Sequence, residues 1–217
     1  WFRRRPAEDV ETALYTADWR IGAAWFGLAV AMLSLNVGGE PFDLLEYSYF
    51  HEGLRPPSYA GVLSDPISAE LAHGPVMPLI HRFVSEFSTA PFVLRIPSVL
   101  FGALFVWCVW SLSVASLGQR AGNLAAAIAL GAPVAFFYSR DATPYALTGL
   151  LAASSAWLAV RASRSVKPVR WWCVFSALQI VGFFTHYGYT FFSAALGLTL
   201  IIAWSRRRPR QLSYALI

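Results

Sequence analysis

A series of long apolar windows constrains this chain more than any other feature. A seventh window begins near residue 212, after six windows at about residues 21–38, 94–117, 121–138, 143–160, 171–186 and 188–205. An apolar helix of about 20 residues matches the hydrocarbon thickness of a bilayer. Only 13% of the residues are charged, against about 25% in a soluble globular domain. The pattern predicts an all-α, polytopic membrane protein with six to seven transmembrane helices.

The charges sort to opposite sides of these windows, which predicts the orientation of the chain. With the N-terminus in the cytoplasm, 13 of the 17 basic residues fall inside: Arg3, Arg4, Arg5, Arg20, Arg120, Arg161, Arg164, Lys167, Arg170, Arg206, Arg207, Arg208 and Arg210. Eight of the 12 acidic residues fall outside: Glu40, Asp43, Glu46, Glu52, Asp65, Glu70, Glu86 and Asp141. The net charge of +5 therefore reports membrane topology and gives no reason to expect a nucleic-acid partner.

The windows also set the domain organisation. Residues 1–20 form a polar cytoplasmic arm, and residues 21–217 form one transmembrane module. Residues 39–91 form a long outer-face loop, whose helical spacing predicts one or two helices lying along the membrane interface. The final LSYALI resembles the start of another span, so we expect the chain to be part of a longer protein. The Ala- and Arg-rich usage favours a bacterial inner membrane, with the long loop in the periplasm.

Two residue types help to locate the chemistry. Cys108 and Cys173 fall inside apolar windows and are expected to be small core residues rather than a disulfide or metal site. The four histidines all fall on the outer face: His51, His73, His81 and His186. We therefore expect a functional site at the outer boundary of the membrane.

The first candidate group is the acidic pair Asp43 and Glu46, three residues apart just after the first window. Such carboxylates serve as a general base or hold a divalent cation. The alternative is that they only solvate the loop, and both interpretations stay open. For Glu52, Asp65 and Glu70 we favour solvation.

The second candidate group interrupts the stretch FFYSRDATPYALTGLL, residues 136–151, with Arg140, Asp141 and Tyr145. The arginine fork suits phosphate oxygens, and it lies near the start of the fourth window, where the helix dipole also favours anions. The alternative is a snorkelling arginine paired with the adjacent aspartate at a helix end.

Two shorter motifs carry similar ambiguity. LRIPS, residues 94–98, opens the second window with Arg95, which either contributes to a site or snorkels. THYGY, residues 185–189, places His186, Tyr187 and Tyr189 at the end of the fifth window, where aromatic residues often form an interfacial belt.

The ordered set of motifs resembles the GT-C superfamily of glycosyltransferases that use polyprenyl-phosphate sugars. The branch it resembles contains protein mannosyltransferases and lipid A aminoarabinose transferases. The resemblance covers residues 20–205 and rests on five segments in order: Asp43 to Glu46, HGPVMPL (73–79), LRIPS (94–98), YSRDATPY (138–145) and THYG (185–188).

The resemblance implies a mechanism and roles. Such enzymes take a sugar from an isoprenoid phosphate on the outer face and pass it to an acceptor, with an outer-loop carboxylate as base. It implies Glu46 and Asp43 as the catalytic carboxylates. The expected donor-phosphate residues are Arg140, Tyr145 and His186, and the expected site-lining residues are His73, Arg95, Asp141 and Tyr187. No metal ligand is assigned, although the acidic loop leaves a divalent cation open. The expected partners are membrane lipids and the isoprenoid-phosphate sugar.

One departure from the family pattern motivates an alternative. The usual Asp before the Glu is replaced by Leu45, and Asp43 lies two residues away from that position. The alternative function is a non-catalytic GT-C-like subunit that scaffolds a larger complex of integral membrane proteins. A transporter or channel is disfavoured, because the chain shows no internal repeat and no matched pair of interrupted helices.

Overall fold

The computed structural model describes residues 18–39, 41–56, 58–64, 74–165 and 168–205. Within these ranges the chain forms ten α-helices and no β-strand, which confirms the all-α prediction. In chain order they are α1 (Trp19–Ser34), α2 (Leu44–Leu54), α3 (Tyr59–Ser64), α4 (Val76–Ser85), α5 (Pro91–Leu117), α6 (Gln119–Gly131), α7 (Pro133–Tyr138), α8 (Tyr145–Arg164), α9 (Val169–Thr185) and α10 (Tyr189–Ser205).

The apolar windows correspond closely to these helices. In the described ranges, α5 is the one helix that is both long and apolar enough to cross a bilayer. Helices α1, α9 and α10 are also apolar but shorter, at 16, 17 and 17 residues. The number of spans therefore stays a prediction. The N-terminal arm and the seventh window lie outside the described residues.

The third window, predicted as one span, is divided into two helices. Helix α6 ends at Gly131, Ala132 is extended, and α7 begins with Pro133 at its first position. Proline lacks the backbone N–H that would continue a helix but suits the first helical turn. The break therefore follows directly from the Ala-Pro sequence. The short helix α7 ends at Tyr138, directly before the turn that leads to α8.

The main core lies where α1, α5 and α6 pack together. Buried apolar residues from the three helices meet there, among them Leu33, Val106 and Leu130. Small residues let the helices approach, as membrane helix packing requires. A Cβ at Gly102 of α5 would collide with Ser139, so this glycine lets the turn after α7 lie directly on α5.

A polar network joins α8, α9 and α10. Gln179 donates to Ser155 Oγ at 2.8 Å and to the Tyr189 hydroxyl at 3.2 Å. Ser193 Oγ donates to Gln179 Oε1 at 2.7 Å. Polar side chains between apolar helices are stabilised by such mutual pairing. The network holds Tyr189, the first residue of α10, next to the turn at residues 185–188.

Much of α9 and α10 faces outward. Phe191, Ile201 and Trp204 are large and exposed, which suits contact with lipid. Cys108 is buried, as expected, but Cys173 is exposed, so the prediction of a core position was wrong for Cys173. The apolar window that contains Cys173 predicts burial in the bilayer and gives no information on which face of the helix packs on protein.

The described parts of the long loop form α2, α3 and α4. Helix α4 packs on α2 and also contacts α9. At its start the Gly74 N–H donates to the Thr185 carbonyl at 3.3 Å. A Cβ on Gly74 would collide with the Phe184 carbonyl, so a glycine is required for this approach. The loop is therefore folded over the helix ends that carry the predicted motifs.

Candidate functional site

A buried carboxylate, Glu46, lies at the centre of the predicted motifs. It is 1% exposed and lies in the first turn of α2. Asp43 caps the same helix: its Oδ1 accepts the Glu46 N–H at 2.7 Å, and its own N–H donates to Glu46 Oε2 at 3.3 Å. This reciprocal capping box explains the spacing of three between the two acids.

Arg95 binds Glu46 with both arms of its guanidinium. Arg95 Nε donates to Glu46 Oε1 at 2.7 Å, and Nη2 donates to Oε2 at 2.6 Å. The remaining donors reach the backbone, with Nη1 to the Val37 carbonyl at 2.8 Å and Nη2 to the Pro41 carbonyl at 3.2 Å. Arg95 is 5% exposed, so the snorkelling interpretation was wrong. The pair holds α2 and the segment between α1 and α2 on α5.

The turn between α7 and α8 is attached to the same carboxylate. The Ala142 N–H donates to Glu46 Oε1 at 2.7 Å, and both Ala142 and Thr143 are fully buried. Glu46 therefore accepts four hydrogen bonds, two on each oxygen. A carboxylate has about four acceptor positions. All four acceptor positions of Glu46 are thus filled by protein donors. Glu46 connects three predicted motifs, the acidic pair, LRIPS and YSRDATPY, and we call this set of contacts the Glu46 pin.

Arg140 lies in the pinned turn and retains unused donors. Its Nη2 donates to the Leu35 carbonyl at 2.5 Å, and its guanidinium lies 5.1 Å from the centre of the Phe136 ring. Its Nε is buried without a hydrogen-bond partner in the described part of the chain. Arg140 forms no ion pair with the adjacent Asp141 among the described residues, which argues against the alternative of an arginine paired with its neighbour. An unpartnered guanidinium N–H is a ready donor for an anion.

Asp141 is the carboxylate with the most altered acidity at this site. Burial and, after it, the nearby charges of Glu46 and Asp43 raise the pKa of Asp141, whereas Arg95 and Arg140 lower it, and the resulting pKa is about 7. The side chain is half-buried. A carboxyl group with a pKa close to 7 exchanges protons readily at neutral pH. Sequence reasoning placed Asp141 only among the lining residues.

The remaining predicted donor residues form an aromatic cluster beside this turn. The rings of Tyr138 and Tyr145 have centroids 4.4 Å apart, and those of Tyr145 and His186 are 5.4 Å apart. Burial, followed by contact with Tyr145, raises the pKa of Tyr49 in α2. Tyr145 and His186, both expected at the donor phosphate, are therefore neighbours. The cluster offers flat faces and polar edges next to the carboxylates.

A family model named dolichyl-phosphate-mannose-protein mannosyltransferase matches residues 72–217, which is more than half of the chain. The chain belongs to this family. The membership confirms the resemblance to the GT-C superfamily, and it describes a membrane glycosyltransferase-like fold. No curated protein and no solved structure matches the chain.

The family match includes most of the site. Arg95, Arg140, Asp141, Tyr145 and His186 all lie in the matched range, whereas Asp43 and Glu46 precede it. The acidic pair is connected to the family region through the hydrogen bonds from Arg95 and Ala142. The structure thus brings the acidic pair into contact with site residues of the matched range.

Two predicted lining residues are placed less closely. His73 lies outside the described residues, although the adjacent Gly74 contacts the carbonyl of Thr185. Tyr187 is 44% exposed and packs on Phe183, with ring centroids 5.6 Å apart. No ring contact joins Tyr187 to Tyr145 within the described ranges, so Tyr187 lies at the border of the aromatic cluster.

Sequence reasoning grouped His81 with the other histidines and did not name it as a site residue. It lies on α4, fully buried against α2. Burial lowers the pKa of His81, the backbone of Tyr49 and the charge of Glu46 partly oppose this effect, and the resulting pKa is about 4. Neither ring nitrogen has a hydrogen-bond partner among the residues that the structure describes. The available signal was the position of His81 four residues after Met77, on the same apolar face of α4.

The described side chains do not fit a divalent cation. No group of three or more His, Cys, Asp or Glu residues in the described ranges is arranged to hold one. Glu46, the central carboxylate, already accepts four hydrogen bonds from protein donors. A cation needs several free oxygen ligands. No step of the proposed chemistry therefore runs through a metal.

Proposed function

We propose that this chain carries the active site of a membrane glycosyltransferase. The donor is a sugar linked to an isoprenoid phosphate, and the acceptor hydroxyl approaches from the outer face of the membrane. The site is the cluster of Glu46, Arg95, Arg140, Asp141 and Tyr145, with His186 at its aromatic edge. The single observation that carries the proposal is the Glu46 pin, which brings the acidic motif, LRIPS and YSRDATPY into contact.

The donor phosphate is assigned to Arg140. Its buried Nε has no partner among the described residues, and its Nη2 is fixed on the Leu35 carbonyl. A guanidinium held at one end and free at the other is already oriented for an anion, which lowers the entropic cost of binding. Its place at the end of the α7 helix suits a lipid whose tail stays in the bilayer.

The sugar is assigned to the aromatic side of the turn. Tyr145 and His186 form adjoining faces, and Tyr138 extends the same surface. Aromatic rings bury apolar area while keeping polar edges available for hydroxyl groups. The sugar ring would pack on these faces while its linking phosphate remains on Arg140.

The saturated Glu46 serves as a positioning residue in this scheme. All four of its acceptor positions are filled by Arg95, Asp43 and Ala142. It would have to break one of these bonds to accept a proton from a substrate. The catalytic role expected for the acidic pair therefore passes to a carboxylate with a free oxygen, which leaves Asp43 and Asp141.

The proposal includes a placement in the membrane. We place the N-terminus in the cytoplasm and residues 39–91 in the periplasm of a bacterial inner membrane, with residues 21–217 as one transmembrane module. The charge asymmetry of the sequence supports this orientation. The outward-facing apolar residues of α9 and α10, such as Phe191 and Ile201, support the lipid contact.

The proposal is tested with the full-length protein in lipid nanodiscs. Binding is measured with dolichyl phosphate, and turnover is measured as release of dolichyl phosphate from dolichyl-phosphate-mannose in the presence of native membrane acceptors. GDP-mannose, a soluble nucleotide sugar, is the matched control donor. We expect binding of the lipid phosphate, turnover of the lipid-linked sugar and no turnover of GDP-mannose.

Two results count against the proposal. Failure to bind dolichyl phosphate would remove the assignment of Arg140 as a phosphate site. Binding without turnover, together with stoichiometric co-purification with other membrane proteins, would favour the non-catalytic subunit instead.

A further inference from the structure

Asp141 occupies a place in the turn where both of its neighbours are fixed. On one side, the Arg140 backbone N–H donates to the Phe137 carbonyl at 3.0 Å, and Arg140 Nη2 donates to the Leu35 carbonyl at 2.5 Å. On the other side, the buried Ala142 N–H donates to Glu46 at 2.7 Å. The backbone that carries the Asp141 side chain is therefore held from two directions. Rigid support of this kind is what a reacting group needs to keep its geometry.

The carboxylate itself is left free by this arrangement. Asp141 makes no hydrogen bond and no ion pair within the part of the chain that the structure describes. Glu46, by contrast, accepts four hydrogen bonds, and Asp43 uses Oδ1 to cap α2 at 2.7 Å. Of the three acids, Asp141 is the one with both oxygens available to a substrate.

Charged groups of α2, of α5 and of the turn itself act on the ionisation of Asp141. The carboxylates of Glu46 and Asp43 approach it from the start of α2, and the guanidiniums of Arg95 in α5 and Arg140 in the turn oppose them. Together with half-burial, this environment raises its pKa to about 7. A base with a pKa close to the working pH combines adequate ionisation with strong proton affinity.

We propose that Asp141 is the general base that takes the proton from the acceptor hydroxyl in sugar transfer. This role rests on the proposed function, because it requires a donor phosphate at Arg140. Arg140 and Asp141 are consecutive residues of one turn. In this scheme Arg140 binds the leaving phosphate and Asp141 accepts the proton of the attacking hydroxyl.

The step balances in atoms and charge. The acceptor oxygen forms a bond to C1 of the sugar, and the bond between C1 and the phosphate oxygen breaks. The electron pair of that bond leaves with the phosphate, so the phosphodiester monoanion becomes a phosphomonoester dianion, which Arg140 stabilises. The acceptor proton passes to the Asp141 carboxylate, which becomes neutral and later releases it to water.

The test uses the full-length protein in nanodiscs, with dolichyl-phosphate-mannose as the probe. The variants are Asp141→Asn, Asp141→Glu and Asp43→Asn. Glu86→Gln is the control, because Glu86 is an exposed outer carboxylate that hydrogen-bonds Tyr59 away from the cluster. Donor binding, single-turnover transfer and the pH profile of kcat/KM are measured for each, together with a thermal melt to confirm folding.

The base role predicts a specific pattern. Asp141→Asn lowers transfer by about 100- to 10,000-fold, the usual contribution of a general base, while donor binding changes less than about threefold. In wild type, kcat/KM rises with pH and levels off above about 7. The inflection moves in Asp141→Glu and is lost in Asp141→Asn. Asp43→Asn loses less than about tenfold, and Glu86→Gln matches wild type.

Other outcomes overturn the inference in distinguishable ways. Retained transfer in Asp141→Asn, with loss in Asp43→Asn, would make Asp43 the base and leave the proposed function standing. Equal loss of binding and transfer in Asp141→Asn would make it a binding residue. A wild-type protein that neither binds nor turns over the lipid-linked sugar would overturn the proposed function, and the base role with it.

Discussion

Glu46 and Arg95 are joined by two hydrogen bonds, at 2.6 and 2.7 Å, across 49 positions of sequence. Both side chains are almost fully buried, and the same carboxylate also receives the Ala142 N–H at 2.7 Å. A buried ion pair is stabilised by such extra hydrogen bonds, since they compensate for the lost hydration of the carboxylate. This pair therefore holds α2 and the turn after α7 on α5.

The first prediction concerns this pair. Glu46→Gln and Arg95→Gln should each destabilise the protein by about 3–5 kcal/mol, because each leaves one buried charge without its partner. The double variant should lose less than the sum of the single losses. The measurement is a double-mutant cycle from thermal melts of the full-length protein in detergent.

Additive losses would contradict this account of the pair, since they would mean that the two side chains do not interact. Glu86→Gln is the matched control, because Glu86 contributes to no buried ion pair in the described residues. We expect Glu86→Gln to change the free energy of unfolding by less than about 0.5 kcal/mol.

The second prediction concerns the phosphate site. Arg140→Ala should weaken dolichyl phosphate binding by about 10- to 100-fold, the loss expected for about 1.5–3 kcal/mol in a charge-assisted contact. Arg140→Lys should recover only part of this affinity, because a lysine lacks the planar fork. Binding is measured with purified protein in nanodiscs over a range of lipid concentrations.

The control for this prediction is Arg120→Ala, which removes an exposed arginine at the start of α6, the opposite end of the α6–α7 segment. Equal weakening by Arg120→Ala would show that the effect comes from overall positive charge, and Arg140 would lose its assignment.

The third prediction links stability to the ionisation of Asp141. Its pKa of about 7 lies above the usual value of 3.8, so the folded state binds this proton more tightly than the unfolded state does. Stability therefore falls as pH rises between these two values. Asp141→Asn should be more stable than wild type at pH 8, by about 1–2 kcal/mol after solvent screening of a half-exposed group. At pH below the native pKa the difference should shrink.

Thermal melts of wild type and Asp141→Asn between about pH 4 and pH 8 provide the measurement. A variant that is less stable than wild type at pH 8 would show that the Asp141 carboxylate is paired in the native protein. Together with the expected loss of transfer, a gain in stability would identify Asp141 as a residue kept for function at a cost in stability.

The fourth prediction concerns His81. Its pKa of about 4 lies below the usual 6.5, so its contribution to stability is complete above 6.5 and is lost as pH falls toward 4. The loss in wild type should reach about 2–3 kcal/mol. His81→Phe should remove this acid sensitivity, because it keeps a ring in the site and no titrating nitrogen. His51→Phe, at an exposed position of α2, is the control.

Melts between pH 4 and pH 7 test this prediction. An unchanged acid limb in His81→Phe would mean that other groups, and not the burial of His81, cause the loss of stability.

The sequence predicted most of the long helices because each of them coincides with a long apolar window. The windows at 171–186 and 188–205 agree with the ends of α9 and α10 to within two residues. The break at Ala132 was missed, although Pro133 was a usable signal for the start of a new helix. A hydropathy window averages over such a residue and cannot show it.

The site was predicted as a set of motifs and not as a set of contacts. The spacing of Asp43 and Glu46 indicated one helical turn, but the same spacing suits a capping box and a catalytic pair equally. The pairing of Glu46 with Arg95 and Ala142 spans 49 and 96 positions, and no local pattern encodes it. The same applies to Arg140, whose contact with the Leu35 carbonyl spans 105 positions.

The most direct test of the central claim is a structure of the full-length protein in nanodiscs with dolichyl-phosphate-mannose bound. The account predicts the phosphate within about 2.7–3.2 Å of an Arg140 guanidinium nitrogen. It also predicts the sugar against Tyr145 and His186, with C1 open toward Asp141. A lipid phosphate bound elsewhere, with the Arg140 fork unoccupied and the outer cluster closed, would contradict the account.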